Sequence, residues 1–227
     1  MPRIARIVLA GHPHHVLQRG NNRQAIFFDE ADRSFYLALL RKYSKECDCK
    51  IKAYCLMDNH VHFLLVPGRN DSLAKTMQKL SLTFTQYINK KHRRTGRLWE
   101  CRFHSSVVDT EAYLWTVCRY IERNPVRAGK VKRPIDYSWS SVKANTSGDC
   151  HDGIVEPIWK DYFDKDEYIN FLNRHEEEKQ IEEIKQSTIR GMPVGGENFI
   201  KDIIKNFGFR IFKKARGRPK KINGMCP

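Results

Sequence analysis

The stretch NHVHFLLV, residues 59–66, has the pattern of a buried β-strand. Residues i and i+2 of a strand point to the same face of a sheet, so His60 and His62 share one face. Val61 and Phe63 then point to the opposite face, toward a hydrophobic core. Two imidazoles on one face can bind the same metal ion, but two histidines alone do not make a complete metal site.

A second stretch, RYIERN at residues 119–124, has the pattern of a helix. Residues i and i+4 of a helix lie on one face, so Tyr120 and Asn124 are expected one above the other. The phenol then lies near a carboxamide oxygen, a hard ligand that can complete a metal site. Together the two stretches predict a nucleophile held beside a metal ion.

Strand and helix patterns alternate along the first part of the chain. Strands are predicted at residues 15–19, 50–57 and 103–108, and helices at residues 30–47 and 71–91. Strands interleaved with covering helices predict an α+β fold, a ferredoxin-like antiparallel sheet with helices packed on it. The spacing alone leaves the order of the strands open.

These motifs, in this order, resemble the REP-associated tyrosine transposases, which are relatives of single-strand insertion-sequence transposases within the HUH nuclease superfamily. The resemblance is carried by HVLQRGNNR at residues 15–23, IFFD at 26–29, LMDNHVH at 56–62 and RYIERNPVRAG at 119–129. It covers roughly the first 145 residues. Several blocks in the family's order are far more specific than any one of them.

The resemblance implies that His60, His62 and Asn124 bind a divalent metal ion, Mg²⁺ or Mn²⁺, and that Tyr120 attacks a phosphate of single-stranded DNA. The expected products are a 5′-phosphotyrosine on one DNA end and a free 3′-hydroxyl on the other. The implied substrates are hairpin-forming repeated extragenic palindromes with a short flanking single strand. The implied assembly is a monomer or a homodimer. A covalent tyrosine also preserves the phosphoester energy for rejoining.

Charge divides the chain into three parts. Residues 1–145 carry a net charge of +14, residues 146–212 carry −5 and residues 213–227 carry +6. A basic surplus of this size favours a polyanionic partner. We therefore predict a transposase domain over 1–145, an acidic and mainly helical extension over 146–212, and a basic tail over 213–227. The extension can pack on the catalytic domain, contact a partner or be a soluble appendage.

Two basic turns and the tail supply candidate DNA-binding residues. These residues are Arg19, Asn21, Asn22 and Arg23 in the first turn, Arg93, Arg94 and Arg97 in the second, and Arg216 and Arg218 in the tail. Trp99, beside the second turn, can stack on a base or lie in the core. The tail resembles an AT-hook, whose Arg-Gly-Arg core can lie in a narrow minor groove; an ordinary basic tail is the alternative.

Composition also bears on location. The seven cysteines are odd in number and lack paired C-x-x-C motifs, so reduced thiols are expected. The sequence has no apolar run long enough for a membrane helix, and the apolar stretch at residues 7–10 is too short for a signal-peptide core. We expect a cytoplasmic, nucleoid-associated protein without membrane partners.

Two other classes of function share some of these features. A non-catalytic DNA-binding protein derived from a transposase would be basic, but it would not need the histidines, Tyr120 and Asn124 together. A metal-dependent hydrolase that uses water would keep the histidines without the tyrosine. Tyr87 and Tyr113 are expected to be packing residues, and HPH at residues 12–14 is expected to be a turn that leads into the first strand.

Overall fold

The computed structural model describes residues 6–109, 113–147, 153–158 and 165–207. The basic tail that contains Arg216 and Arg218 lies outside the described residues.

The described residues form one antiparallel sheet with the spatial order β2-β3-β1-β4. Its strands are β1 (His14–Arg19), β2 (Cys49–Met57), β3 (His60–Pro67) and β4 (His104–Val107). β1 lies between β3 and β4 and pairs with both. This order is the ferredoxin-like arrangement, so the predicted α+β fold is confirmed.

Two helices cover what we call the first face of the sheet, which carries Val16, Val61 and Phe63. They are α1 (Glu30–Glu46) and α2 (Ser72–Lys91). Large apolar side chains from both helices fill the core between helices and sheet, among them Tyr36, Leu40, Leu80 and Phe84. The apolar residues of β3 therefore lie in the core, as the alternation in the sequence predicts.

The second face carries the alternate residues, including His62 and Leu64, and is covered by later helices. On this side lie α3 (Leu114–Glu122), α4 (Asn124–Arg127), α6 (Lys165–Asn173) and α7 (Glu178–Arg190). The helix α5 (Val142–Ser147) contributes to both cores, and α8 (Glu197–Phe207) packs Ile203 on Val107 of β4, which pairs with His14. Tyr168 of α6 and Ile184 of α7 join Leu64 and Val117 in a second hydrophobic core. The described part of the acidic extension thus packs against the sheet and α3.

The tyrosine helix does not continue to Asn124. α3 ends at Glu122, and the short helix α4 begins at Asn124. Pro125 has no N–H to bond the carbonyl four residues earlier, and its ring crowds that carbonyl, so a regular helix cannot run through it. The expectation of one helix from Tyr120 through Asn124 is therefore wrong.

The helices of the described residues are all too short or too polar to cross a membrane. Five cysteines lie in this part of the chain, and all five are free thiols.

Candidate active site

The two histidines of β3 lie on the second face, with their ring centroids 5.1 Å apart. His62 is buried, with 3% of its surface exposed, and His60 is half-buried at the start of the strand. Burial and the neighbouring Arg19 lower the pKa of His60 to about 4. Burial also lowers the pKa of His62 well below its usual value. Both imidazoles are therefore uncharged at neutral pH, the form that binds metal ions.

The ring of Tyr120 lies edge-on to the histidine cluster. Its centroid is 5.7 Å from that of His62 and 5.4 Å from that of His15. Burial raises the pKa of the Tyr120 phenol, and the nearby guanidinium of Arg127 acts in the opposite direction. That guanidinium lies over the tyrosine ring at 4.4 Å and also donates a hydrogen bond to the Tyr120 carbonyl. Arg127 therefore holds both the ring and the backbone of the tyrosine.

Asn124 completes the group of predicted site residues. Its side chain lies beside the ring of His60 and acts to raise the pKa of that histidine, against burial, which lowers it. Although the helix breaks before Asn124, the structure brings His60, His62, Tyr120 and Asn124 together. Their chemical roles remain predictions.

His15 is a member of this cluster that the sequence reasoning missed. It is fully buried on β1, and its Nε2 lies 2.9 Å from Nδ1 of His62. Its Nδ1 lies 2.7 Å from the hydroxyl of Thr188 on α7. In the sheet His15 pairs with Leu64, next but one to His62 on β3. The ferredoxin-like order places β1 beside β3, and alternation along β1 then puts His15 on the second face, with His60 and His62. The sequence therefore contained the signal that would have identified His15.

The acidic extension also contacts, through Glu176, the arginine that packs on the tyrosine. This buried carboxylate lies 2.9 Å from Arg123 and 2.7 Å from Arg127. Glu176 therefore fixes the guanidinium that packs on Tyr120. Buried, hydrogen-bonded charge pairs of this kind hold a side chain far more firmly than exposed ones.

A second group of possible metal ligands consists of Asp29, Asp32 and His92. The ammonium of Lys91 already lies among them, 2.8 Å from Asp29 and 2.7 Å from Asp32. Asp29 also caps α1 by accepting a hydrogen bond from the backbone N–H of Asp32. Because a lysine charge balances the carboxylates at the first-face helices, we interpret this group as a helix cap with an ion pair.

The first basic turn lies against the beginning of β3. Asn21–Arg23 form a short 3₁₀ turn, and Asn22 and Arg23 have φ angles of 50° and 58°. Asn59, immediately before His60, donates a hydrogen bond to the Arg23 carbonyl. The predicted DNA-binding residues of this turn are thus connected to the histidine strand. Arg19, at the end of β1, is half-buried beside it.

The second basic turn follows α2. Arg93 and Arg97 are exposed, whereas Arg94 is half-buried. Trp99 is buried and donates a hydrogen bond to a backbone carbonyl of α2, so it is a core residue. Phe28 is the exposed aromatic residue at this place, and the sequence reasoning did not single it out.

Phe28 has 48% of its surface exposed. Its ring centroid lies 4.5 Å from that of His92, and the guanidinium of Arg94 lies 5.4 Å from it. Nη1 of Arg94 is buried without a hydrogen-bond partner among the described residues. An exposed aromatic ring beside a guanidinium group is typical of a surface that binds a nucleic-acid strand.

Comparisons with known proteins agree on one family. A family model described as "Transposase IS200 like" matches residues 9–124. A Haemophilus influenzae protein named "Putative REP-associated tyrosine transposase" is 26% identical over 110 residues, which are 44% of this chain and 62% of that protein. The match therefore spans less than two thirds of that relative.

A solved structure has a similar fold. It is described as "Structure of the REP associates tyrosine transposase bound to a REP hairpin". The two structures superpose with a TM-score of 0.57 and 19% identity, over 70% of this chain and 90% of the other. This likeness supports the fold.

Proposed function

This chain belongs to the IS200-like transposase family, and from that premise we propose that it cuts and rejoins single-stranded DNA through a covalent tyrosine intermediate. The observation that carries the proposal is the contact of the Tyr120 ring with His62, 5.7 Å between centroids, with the Asn124 side chain beside the ring of His60. A binding protein would not need a buried tyrosine beside two uncharged histidines.

The proposed substrate is a hairpin-forming DNA repeat with a short single-stranded flank. The net charge of +14 over residues 1–145 supports a DNA partner. Two basic turns supply the proposed contacts, namely Arg19, Asn21, Asn22 and Arg23 in the first and Arg93, Arg94 and Arg97 in the second. The half-buried Arg94 lies with its guanidinium over the exposed ring of Phe28, an arrangement that suits a strand with a base on the ring and a phosphate at the cation. The structural relative bound to a REP hairpin supports the choice of a hairpin.

In the proposed cleavage step, the Tyr120 phenolic oxygen forms a bond to phosphorus as the bond from phosphorus to the 3′-oxygen breaks. The phenol loses its proton and the departing 3′-oxygen gains one, which leaves a 5′-phosphotyrosine and a 3′-hydroxyl. Attack by a 3′-hydroxyl on the phosphotyrosine reverses the step and rejoins DNA. The total number of phosphoester bonds is conserved, so transfer needs no external energy source.

The chain's residues prepare this step in two ways. Arg127 lies over the Tyr120 ring and favours the phenolate, against burial, which raises the pKa of the phenol. His60, His62 and Asn124 would hold a divalent metal ion, and a bound ion would polarise a phosphoryl oxygen. Two uncharged imidazoles and one amide oxygen fit an ion that accepts both nitrogen and oxygen, which favours Mn²⁺ over Mg²⁺.

The proposal is tested by detecting a covalent adduct between the full chain and end-labelled hairpin DNA on denaturing gels, with Mn²⁺ or EDTA. We expect a metal-dependent adduct in the wild type, and less than about 1% of it in Tyr120→Phe, because the nucleophile is gone. Tyr113→Phe is the matched control, since Tyr113 caps the same helix, and it should form the adduct normally.

Each other outcome contradicts the proposal in a different way. An adduct that persists in Tyr120→Phe would move the nucleophile to another residue. Tight hairpin binding without cleavage would support the non-catalytic DNA-binding protein. Metal-dependent cutting without an adduct would support a hydrolase that uses water.

A further inference from the structure

Both proposed histidine ligands have the same ring nitrogen occupied by a neighbour. Nδ1 of His60 lies 2.6 Å from Oδ1 of Asn59, and Nδ1 of His62 lies 2.9 Å from Nε2 of His15. An uncharged imidazole carries a single proton, on one nitrogen or the other. The neighbour at Nδ1 therefore decides whether Nε2 has a lone pair for a metal ion.

The proton on His60 can be located by following the hydrogen bonds of Asn59. The side-chain amide of Asn59 lies 3.0 Å from the carbonyl oxygen of Arg23. A carbonyl can only accept, so the NH₂ end of the amide must face Arg23 and the oxygen end must face His60. Nδ1 of His60 must then donate, and its Nε2 keeps the lone pair.

The proton on His62 follows from Thr188, which has a single hydroxyl proton. Its Oγ1 lies 2.8 Å from the carbonyl oxygen of Ile184, one turn earlier on α7. Two oxygen atoms at this distance without a proton between them would repel each other, so Thr188 donates to Ile184. Its oxygen must therefore accept a hydrogen bond from Nδ1 of His15, 2.7 Å away.

The proton arrangement continues from His15 to His62. His15 is completely buried, and burial favours its uncharged form. With its proton on Nδ1, its Nε2 has a lone pair and accepts a hydrogen bond from Nδ1 of His62. Nε2 of His62 is then free of a proton. Each chain of hydrogen bonds ends at a backbone carbonyl, Arg23 in one case and Ile184 in the other, whose role as acceptor is unambiguous.

We propose that Asn59, and His15 together with Thr188, are positioning residues that hold His60 and His62 in the same tautomer, with both Nε2 lone pairs reserved for one divalent metal ion. The inference rests on the proposed function. It assigns a role to the acidic extension, because Thr188 lies on α7. Outer hydrogen bonds of this kind fix the tautomer and the orientation of histidine ligands in metal sites.

The direct test is a two-bond ¹H–¹⁵N correlation spectrum of the full chain labelled with ¹⁵N-histidine, without metal or DNA. The spectrum distinguishes the two tautomers of each ring. We expect His60 and His62 both to carry the proton on Nδ1. A wild-type His62 or His60 with its proton on Nε2 would overturn the proposal without any variant.

Variants test which neighbour controls which ring. Thr188→Val keeps the shape of the side chain without the hydroxyl, and it should give mixed tautomers at His62 alone. Asn59→Leu should do the same at His60 alone. Ser106→Ala is the matched control. The hydroxyl of Ser106 lies 3.1 Å from that of Thr188 but does not belong to the hydrogen bonds that link Ile184, Thr188, His15 and His62. Both tautomers should therefore be unchanged in this variant.

A second readout is the affinity for Mn²⁺ alone, measured by titration calorimetry. Thr188→Val and Asn59→Leu should each weaken Mn²⁺ binding about 10-fold, the effect typical of losing a residue that hydrogen-bonds to a metal ligand. Ser106→Ala should leave the affinity unchanged. Unchanged tautomers and affinity in Thr188→Val and Asn59→Leu would refute the positioning role. The expected tautomers combined with no covalent DNA adduct would refute the proposed function and leave this assignment intact.

Discussion

The two faces of the sheet differ in what they bury. The first face is packed almost entirely with aromatic and aliphatic side chains, such as Tyr36, Phe63 and Phe84. The second face buries a comparable set of apolar residues together with His15 and His62. Because strand residues alternate, both faces are built from the same strands. The comparison indicates that one face mainly supplies stability, whereas the other also holds the proposed active-site residues.

The polar groups on the second face depend on later parts of the chain. Glu122 of α3 is fully buried and accepts hydrogen bonds from Ser141, Asn145 and Tyr168. Thr188 likewise provides a hydrogen-bond partner for the buried ring of His15. A buried polar group without a partner costs about 1–3 kcal/mol, so these partners are needed for the second face to be stable. The first face is covered mainly by α1 and α2, with smaller apolar contributions from later residues such as Ala144 and Val155.

The largest expected effect is on the stability of the first face. Phe63→Ala should lower the free energy of unfolding by about 3–5 kcal/mol, because it leaves a cavity in a fully buried core. Urea unfolding monitored by circular dichroism measures this change. Tyr120→Phe, on the second face, removes one hydroxyl and should alter stability by less than about 1 kcal/mol while it abolishes the adduct.

The reverse pattern would contradict this division between the faces. In that pattern Phe63→Ala would be as stable as the wild type, or Tyr120→Phe would unfold readily. At temperatures where Phe63→Ala remains folded, it should still form the covalent adduct, since Phe63 does not contact the second face.

His14 is a polar exception on the first face, and it gives the second prediction. It is fully buried, with Nδ1 donating to the His12 carbonyl and Nε2 accepting from the Leu9 N–H. The bond at Nε2 requires the uncharged ring, because a protonated nitrogen cannot accept, and burial lowers the pKa of His14 to about 4. The unfolded chain, with a pKa of about 6.5, takes up the proton first. This contribution to stability is therefore present above pH 6.5 and is lost as the pH falls toward 4.

The loss from His14 should reach roughly 3 kcal/mol across this window. Urea unfolding at pH 7 and pH 4.5 measures it in the wild type and in His14→Asn, which keeps one donor and one acceptor. We expect a flatter pH dependence in the variant. Other buried histidines act in the same direction in both proteins, so only the difference between the two slopes reports on His14; equal slopes would contradict the prediction.

The parts of the site that the sequence predicts are those encoded by local periodicity. Alternation along β3 is enough to assign His60 and His62 to one face, opposite Phe63. Contacts between distant elements are not encoded in this way. His15 and Thr188 are 173 residues apart, and their hydrogen bond depends on how α7 packs against β1. Local periodicity carries no information about that packing.

One feature that was predicted wrongly and one that the sequence left open have local causes that compete with periodicity. The apolar and polar pattern predicts a continuous helix through Asn124, but the missing N–H of Pro125 ends the helix at Glu122. Trp99 follows a basic turn, yet its indole is buried, and the exposed aromatic at this turn, Phe28, comes from a distant part of the chain. Proximity in sequence to basic residues does not decide which aromatic ring is exposed.

The smallest expected effect concerns Phe28, at the rim of the first face. Its exposed ring lies beside His92 and Arg94, so a base of single-stranded DNA can stack on it while a phosphate bonds Arg94. Phe28→Ala should weaken hairpin binding about 10-fold, within the range for loss of one stacked base. Phe207→Ala is the matched control, because Phe207 is similarly exposed, 44% against 48%, and lies on α8. Equal losses in fluorescence-anisotropy titrations of both variants would assign the effect to general surface hydrophobicity. A loss confined to Phe28→Ala would mean that the first face also contributes to DNA binding at its rim.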